Sequence, residues 1–342
     1  MESRQDWLVI RDRATLQSLA HSYRQWHTLR LAVAQFDVFT LLGAATKTCE
    51  QMMAELGASA RGTRLLLDAL AGMGLLEKSG EGYSNTPFAQ RYLVRTSPDS
   101  VCGMWDHYTH HNANFMMGDV AIQRGFVPME MRPKHLYADP AVAGARARSM
   151  YAMGRPLAEE LVHHYDIGFA TRMLDLGGAP GTYSIVFAQV IPTLVARVID
   201  LPAPTEETRR LAHELGLDHR LQAVAGDIFA HPAVDFGAGY DLVLLSNVLH
   251  LESPEQNADL IRRAAECLAP GGRLLIHDWV VDDTRTSPPD LAVQAMVLLV
   301  CTEQGDCHTL EEYGSWVSQA GLRLAQTFTF PGRTNTWIIG VK

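Results

Sequence analysis

The sequence is short of the features that mark several large classes of protein. Five cysteines stand among 342 residues, at Cys49, Cys102, Cys267, Cys301 and Cys307. No two form a CxxC pair, so neither a disulfide framework nor a zinc knuckle is expected. Basic residues are outnumbered, 29 Lys and Arg against 38 Asp and Glu, and the formal net charge of −9 argues against a chain that coats nucleic acid. Long apolar runs are lacking. The longest, around residues 291–301, is interrupted by Gln294 and is too short to span a bilayer, so no membrane partner is expected. The first residues, MESRQDWLVIRDR, hold no apolar h-region, which predicts no signal peptide and a cytoplasmic protein. What remains is an ordinary globular composition, 47% hydrophobic and 20% charged, long enough for two domains.

Residues 14–42 read as helix, because Leu16, Leu19, Tyr23, Trp26, Leu29, Leu31, Val33, Phe36 and Phe39 recur at roughly helical spacing. Thr48 can cap a helix that ends at Leu56, with Gly57 beyond it. Ser59 can cap a second through Met73, with Gly74 after it. Residues 75–78, a turn at 80–82 and residues 83–85 then read as a hairpin. Helix, turn, helix, hairpin is a winged-helix pattern. The second helix carries Arg61 and Arg64 as its cations, few for a DNA reader, which favours a scaffold or dimerisation module over DNA binding. Residues 100–165 read as helices and include WDHYTHHNANFMM. From about Ile167, short apolar strands alternate with helical segments, the sign of a parallel α/β sheet.

RMLDLGGAPGTYSIVFAQ, residues 172–189, reads as strand, glycine turn and helix. Gly177, Gly178 and Gly181 let the backbone turn and approach a ligand, and the following helix turns its free amides toward it. The next strand, 195–200, ends in Asp200, 22 residues after Gly178, the spacing of an acid that binds ribose hydroxyls. A third strand, 221–225, precedes Asp227, which can accept from an adenine amino group while Ile228 and Phe229 pack on the ring. A fourth strand, 240–245, leads to Ser246 and Asn247. A helix, 254–268, a turn at 270–272 and a fifth strand, 273–279, complete the pattern. Each piece alone could merely shape a turn; the ordered set at successive strand ends points to a nucleotide ligand.

LDLGGAPGTYS, VIDLP, AGDIF, LLSNVLH and LAPGGRLLIHD, with YRQWHTLRLAVAQFDVFTLL and LLDALAGMGLLEKSGEGYSNTPFAQRYL, resemble the S-adenosylmethionine-dependent O-methyltransferase family of plant caffeate-type and bacterial natural-product enzymes. The resemblance covers nearly the whole chain. It implies a Rossmann-like class I methyltransferase domain over 166–342, helices over 101–165 that line a substrate pocket, and a mostly α-helical winged-helix domain over 1–100 that forms a homodimer. The expected S-adenosylmethionine-binding set is Asp175, Gly177, Gly178, Gly181, Asp200, Leu201, Asp227, Ile228, Phe229, Ser246 and Asn247. A NAD dehydrogenase would space its glycines GxGxxG; here the run is GGxxG.

Methyl transfer from a sulfonium is an in-line displacement, and alignment can supply much of its rate. A phenol, with a pKa of about 10, is a weak nucleophile until a base takes its proton. The resemblance implies His250 as that base and Asp278, in LLIHDW, as the acid that orients it. It places the family's second acid at Cys307, which cannot act so while neutral, and the family's HDW becomes His250, Leu251, Glu252. His277, Asp306 or His308 could compensate. The expected pocket residues are Trp105, His107, His111, Asn114, Phe115, Met150, Met153, Met296 and Leu299, a set suited to a flat apolar acceptor. His107 and His111 share a helix face near His110, but no carboxylate completes a ligand triad and no metal is expected. The expected activity is O-methylation of a hydroxylated aromatic or polyketide-like small molecule. N- or C-methylation, or non-methylating chemistry on the cofactor, is the alternative, and a DNA-binding regulator a more distant one.

Overall fold

A computed structural model describes Ile10 and residues 12–131, 140–230 and 234–342. Most of the stretch read for a leader, residues 1–9, lies outside them. The chain divides into two compact units: Ile10–His110 with Arg148–Met153, and His111–Ala147 with Gly154–Lys342.

The first unit begins with α1 (Arg13–Arg30), capped by Asp12, whose carboxylate accepts from the Thr15 amide at 2.7 Å. The single helical run expected over 14–42 does not hold. After Arg30 the chain takes one π-helical turn, Leu31–Gln35, and Asp37 adopts a left-handed φ of 48° before α2 (Val38–Leu42). The apolar spacing runs on through this break because Ala32, Val33, Val38 and Phe39 all enter the same core. Then come β1 (Lys47–Thr48), α3 (Cys49–Leu56), α4 (Ala60–Gly72), β2 (Leu76–Ser79), β3 (Gly82–Asn85) and α5 (Pro87–Tyr92). Thr48 and Gln51 form a reciprocal capping box and Ser59 caps α4, as their spacing predicts. The hairpin gains β1 as a third strand, in the order β1-β3-β2, where the sequence pattern predicts two.

The helices α6 (Cys102–Phe115), α7 (Gly118–Arg124) and α8 (Pro140–His164) follow. The second unit is built on a sheet: β4 (Arg172–Leu176), α9 (Thr182–Val190), β5 (Val195–Asp200), α10 (Pro202–Glu214), β6 (Leu221–Ala225), β7 (Tyr240–Ser246), α11 (Pro254–Cys267), β8 (Leu268–Val281), α12 (Pro289–Cys301), β9 (His308–Thr309), α13 (Leu310–Gln319), β10 (Arg323–Thr329) and β11 (Asn335–Val341). The strand order is β10-β11-β8-β7-β4-β5-β6, and β9 pairs with the end of β8. Strands β4 to β8 are parallel, and β11 and β10 add an antiparallel edge. The turn expected at 270–272 is absorbed into one long β8. Gly271, at φ 76°, exchanges backbone hydrogen bonds through Gly272 with Lys342 at the far end of β11, so the kink stays inside the sheet.

The central parallel strands β4 and β7 are largely apolar because both faces are covered; Met173, Leu174 and Leu242 to Leu245 are wholly buried. The order in which strands are added reverses at β4: the chain steps out to β5 and β6, then returns to β7 on β4's other side. The crevice at the carboxyl ends of β4 and β7 is therefore the topological switch point, where ligands of such sheets bind.

Candidate active site

Five strand ends converge on this crevice. At the end of β4, Gly177 has φ 69° and its amide donates to the Ile199 carbonyl at 2.8 Å. A Cβ on Gly177 would lie 2.4 Å from Val248 Cγ1, and one on Gly178 would lie 2.1 Å from Asp175 Cγ. Gly181, at φ 84°, opens α9, and its Cβ would meet Thr208 at 2.8 Å. No side chain fits at these three points. Asp175 itself lies beneath the elbow. It is wholly buried, its Oδ2 accepts from the Ser184 hydroxyl at 2.7 Å, and its Oδ1 has no hydrogen-bond partner. Burial pushes its carboxyl up to about 7, against the Ser184 bond and with some help from the Asp200 charge.

Asp200 ends β5. Its two oxygens accept amides from opposite sides, Leu201 at 2.7 Å and Ala179 of the glycine turn at 3.0 Å. Burial raises its carboxyl; those two amides and nearby Arg146 oppose the rise, and Asp227 adds to it. Asp227, exposed after β6, accepts the Phe229 amide at 2.9 Å. Ile228 is buried with Val248 in the core, and its Cδ1 would be 3.2 Å from a Cβ on Gly177. Phe229 is half-buried, while Leu201 is exposed.

At the end of β7, Asn247 takes a left-handed φ of 56°. Its amide donates to the His277 carbonyl, and its side chain joins Ser246 to Asn335. A 3-10 turn, Leu249–Leu251, then presents His250. The imidazole is buried and its Nδ1 lies 2.6 Å from Asp278 Oδ1. Burial alone would push the Asp278 carboxyl up. The His250 charge and hydrogen bond, with the Trp279 amide, outweigh this and hold it below the usual carboxylate range. An ionised carboxylate only accepts, so His250 Nδ1 carries a proton and the lone pair of the neutral ring lies on Nε2. The Leu249 amide donates to Asp278 Oδ2 at 2.9 Å, tying the turn to the same carboxylate.

The residues considered as compensating partners are engaged elsewhere. His277 bonds Tyr183 and Ser246 and stacks on Trp337; burial lowers it to about 3, so it stays neutral. Asp306 pairs with Arg285, and His308 reaches Asn257. Cys307 is buried, and burial pushes its thiol up to about 12, so it brings no charge. Glu252 is raised by burial and by Asp227.

Several contributors escaped the sequence reading. Trp279 stacks on the His250 ring, with centroids 3.8 Å apart and planes at 18°. The Asn257 amide nitrogen donates to the Leu249 carbonyl at 2.7 Å and fixes the turn. Gly305 is needed because a Cβ there would lie 2.5 Å from the His250 carbonyl oxygen. Ser184 anchors Asp175, and the Arg146 charge counters the rise of the Asp200 carboxyl. Trp279 had a signal, its place next to Asp278; Asn257 and Gly305 look like any helix or loop residue.

The expected pocket residues fall in two groups. In the second unit, Asn114 is buried and donates to Cys301 Sγ at 3.4 Å, Leu299 packs with Ala121, Val127 and Val300, and Met296 and Phe115 are exposed. His111 is half-buried on α6. In the first unit, Trp105 packs on the core beside Trp26 and Tyr108, His107 lies near Tyr108, Met150 is half-buried and Met153 exposed. Among the described residues no group of three or more His, Cys, Asp or Glu could hold a metal ion, and no helix is long and apolar enough to cross a membrane.

Residues 134–323 match the O-methyltransferase domain, more than half of the chain. The chain belongs to the O-methyltransferase family. Residues 17–95 match its dimerisation domain. This methyltransferase is 29% identical over 323 residues to the 3-hydroxy-5-methyl-1-naphthoate 3-O-methyltransferase of Streptomyces sahachiroi, covering 93% of this chain and 92% of that one. It is also 29% identical to the N,N-dimethyltransferase OxyT of Streptomyces rimosus, covering 97% and 96%. An O-methyltransferase family protein from Burkholderia thailandensis superposes with a TM-score of 0.85 at 25% identity, covering 98% and 99%. The enzyme is thus a methyltransferase of natural-product type whose methyl donor is S-adenosylmethionine. The crevice fits that group: a glycine elbow closed to any Cβ lies beside two carboxylates on successive strand ends.

Proposed function

We propose that this methyltransferase O-methylates a hydroxylated aromatic or polyketide-like small molecule, with His250 as general base. The carrying observation is the 2.6 Å His250–Asp278 pair, set on a turn whose Val248 packs directly on Gly177 of the elbow. S-adenosylmethionine, when bound, supplies an electrophilic methyl group. Gly177, Gly178 and Gly181 hold it through backbone, Asp200 accepts from ribose hydroxyls, and Asp227 accepts at the adenine. Ile228, Phe229 and Leu201 give the adenosyl group apolar surface, and Ser246 and Asn247 close the far side of the elbow. Asp175 acts from below by shaping Gly178. His250 takes the acceptor's proton on Nε2, and Asp278 stabilises the imidazolium that forms.

The acceptor pocket is assigned, within the second unit, to His111, Asn114, Phe115, Met296 and Leu299. The working boundaries are a dimerisation module over 1–100, pocket-lining helices over 101–165 and a catalytic module over 166–342. The homodimer forms through the first of these. In its own unit α1 buries no residue, and Leu16, Leu19 and Tyr23 are exposed. The likeness to OxyT supports a second reading, N-methylation, in which the same base takes a proton from an amine.

The test is transfer of label from methyl-labelled S-adenosylmethionine to a panel of phenols, hydroxynaphthoates and aryl amines. Label on oxygen, lost in His250→Asn with donor affinity kept, supports the proposal. Label on nitrogen supports the second reading, and full activity in His250→Asn overturns the base assignment.

A further inference from the structure

A hydrogen bond at one ring atom does not orient an imidazole. With Nδ1 held by Asp278 at 2.6 Å, the ring could still pivot about that bond and swing Nε2. The ring's plane is set by something else. The pairing of β7 with β8 ends at Ser246 opposite His277, so Asp278 and Trp279 have no strand beside them on that edge, and the Leu249–Leu251 turn takes the place. From there Asp278 reaches the imidazole edge and Trp279 its face, with centroids 3.8 Å apart and planes at 18°. The Trp279 amide donates at 2.8 Å to the same Asp278 Oδ1 that receives His250. The indole is itself backed by the cluster of Val281, Leu291, Leu298 and Cys307, and the Trp279 carbonyl accepts from the Tyr313 hydroxyl at 3.3 Å. The dipeptide Asp278–Trp279 therefore grips the ring from two directions.

We propose that Trp279 is the positioning residue of this active site, its indole fixing the plane of the His250 imidazole so that Nε2 points at the acceptor. The face-on contact removes the pivot that the single hydrogen bond leaves open, and covers one side of the ring from water. Cys307, packed in the cluster behind the indole, contributes shape without charge. The inference rests on reading His250 as the base.

The experiment compares wild type, Trp279→Leu, Trp279→Phe and His250→Asn. Imidazole Cε1–H resonances are recorded by heteronuclear NMR on the protein alone, that of His250 being the one missing in His250→Asn. Steady-state kinetics use methyl-labelled S-adenosylmethionine with a hydroxynaphthoate acceptor, and calorimetry with S-adenosylhomocysteine checks the cofactor site. The stacked indole holds the His250 resonance upfield. Trp279→Leu should release it downfield and lower kcat by about 10- to 100-fold, the scale for roughly 1 Å of misplacement, with donor KM unchanged. Trp279→Phe, which keeps an aromatic face, should recover most of both. An unchanged His250 resonance in Trp279→Leu, whatever the turnover, overturns the inference, as does an unchanged kcat. Full turnover in His250→Asn would instead remove the base assignment on which it rests.

Discussion

Gly178→Ala tests the physical basis of the cofactor cradle. The residue has no positive φ to explain its identity, so the constraint is space. An added Cβ would lie 2.1 Å from Asp175 Cγ and 2.2 and 2.5 Å from its two oxygens, where ordinary contact begins at 3.4 Å. The carboxylate cannot swing aside cheaply, because it is wholly buried and bonded to Ser184 at 2.7 Å. The glycine turn must instead move outward by roughly 1 Å. Overpacking of this kind costs about 1–3 kcal/mol. In a module of this size that lowers the melting temperature by roughly 2–12 °C. The same displacement carries the Ala179 amide away from Asp200, so affinity for S-adenosylhomocysteine should fall by more than about tenfold. Differential scanning fluorimetry and calorimetry read the two effects. The variant Gly178→Ala with Asp175→Ala should recover stability, because the side chain in the way is gone, and the cycle should show coupling of about 1 kcal/mol or more. A melting temperature and affinity like wild type in Gly178→Ala, or strict additivity in the cycle, would refute the steric account.

Asp278→Asn should lower kcat/KM by about 10²- to 10⁴-fold, while S-adenosylhomocysteine binds within a few-fold of wild type. It should also flatten acid unfolding. Asp278 is held below its unfolded pKa, so its stabilisation is complete above about pH 4 and lost as pH falls through the folded value. Asp175 has the opposite sign. Its carboxyl is raised from 3.8 to about 7, so the folded state holds the proton longer and stability drains as pH rises between those values. Urea titrations of Asp175→Asn should therefore show a gain at pH 8 over pH 4, at most about 4 kcal/mol; a gain that does not grow with pH would contradict this. Leu19→Asp with Tyr23→Asp places charges on the uncovered face of α1, and light scattering should show the mass fall from dimer to monomer.

Local signals are the most legible in this sequence. Thr48 and Ser59 start their helices and Gly57 and Gly74 take the left-handed ends, because caps and turns depend on neighbours in the chain. Strands β5 and β6 match their expected limits residue for residue, Val195–Asp200 and Leu221–Ala225. The break at Leu31–Gln35 was hidden, because core-facing residues on both sides preserved the helical spacing. The antiparallel pair β10 and β11 was not read at all, and the largely exposed β10 carries little apolar pattern to read.

The chain's own order of residues determined where the glycine elbow, the strand-end carboxylates and His250 would stand, because a strand followed by a turn has few ways to end. Tertiary structure alone decided what those groups do to one another. The 27 residues between His250 and Asp278 close to a 2.6 Å bond only when β7 and β8 pair, and the indole meets the imidazole because that pairing stops at His277. Distances of that kind are set by packing between elements, and no local pattern records them.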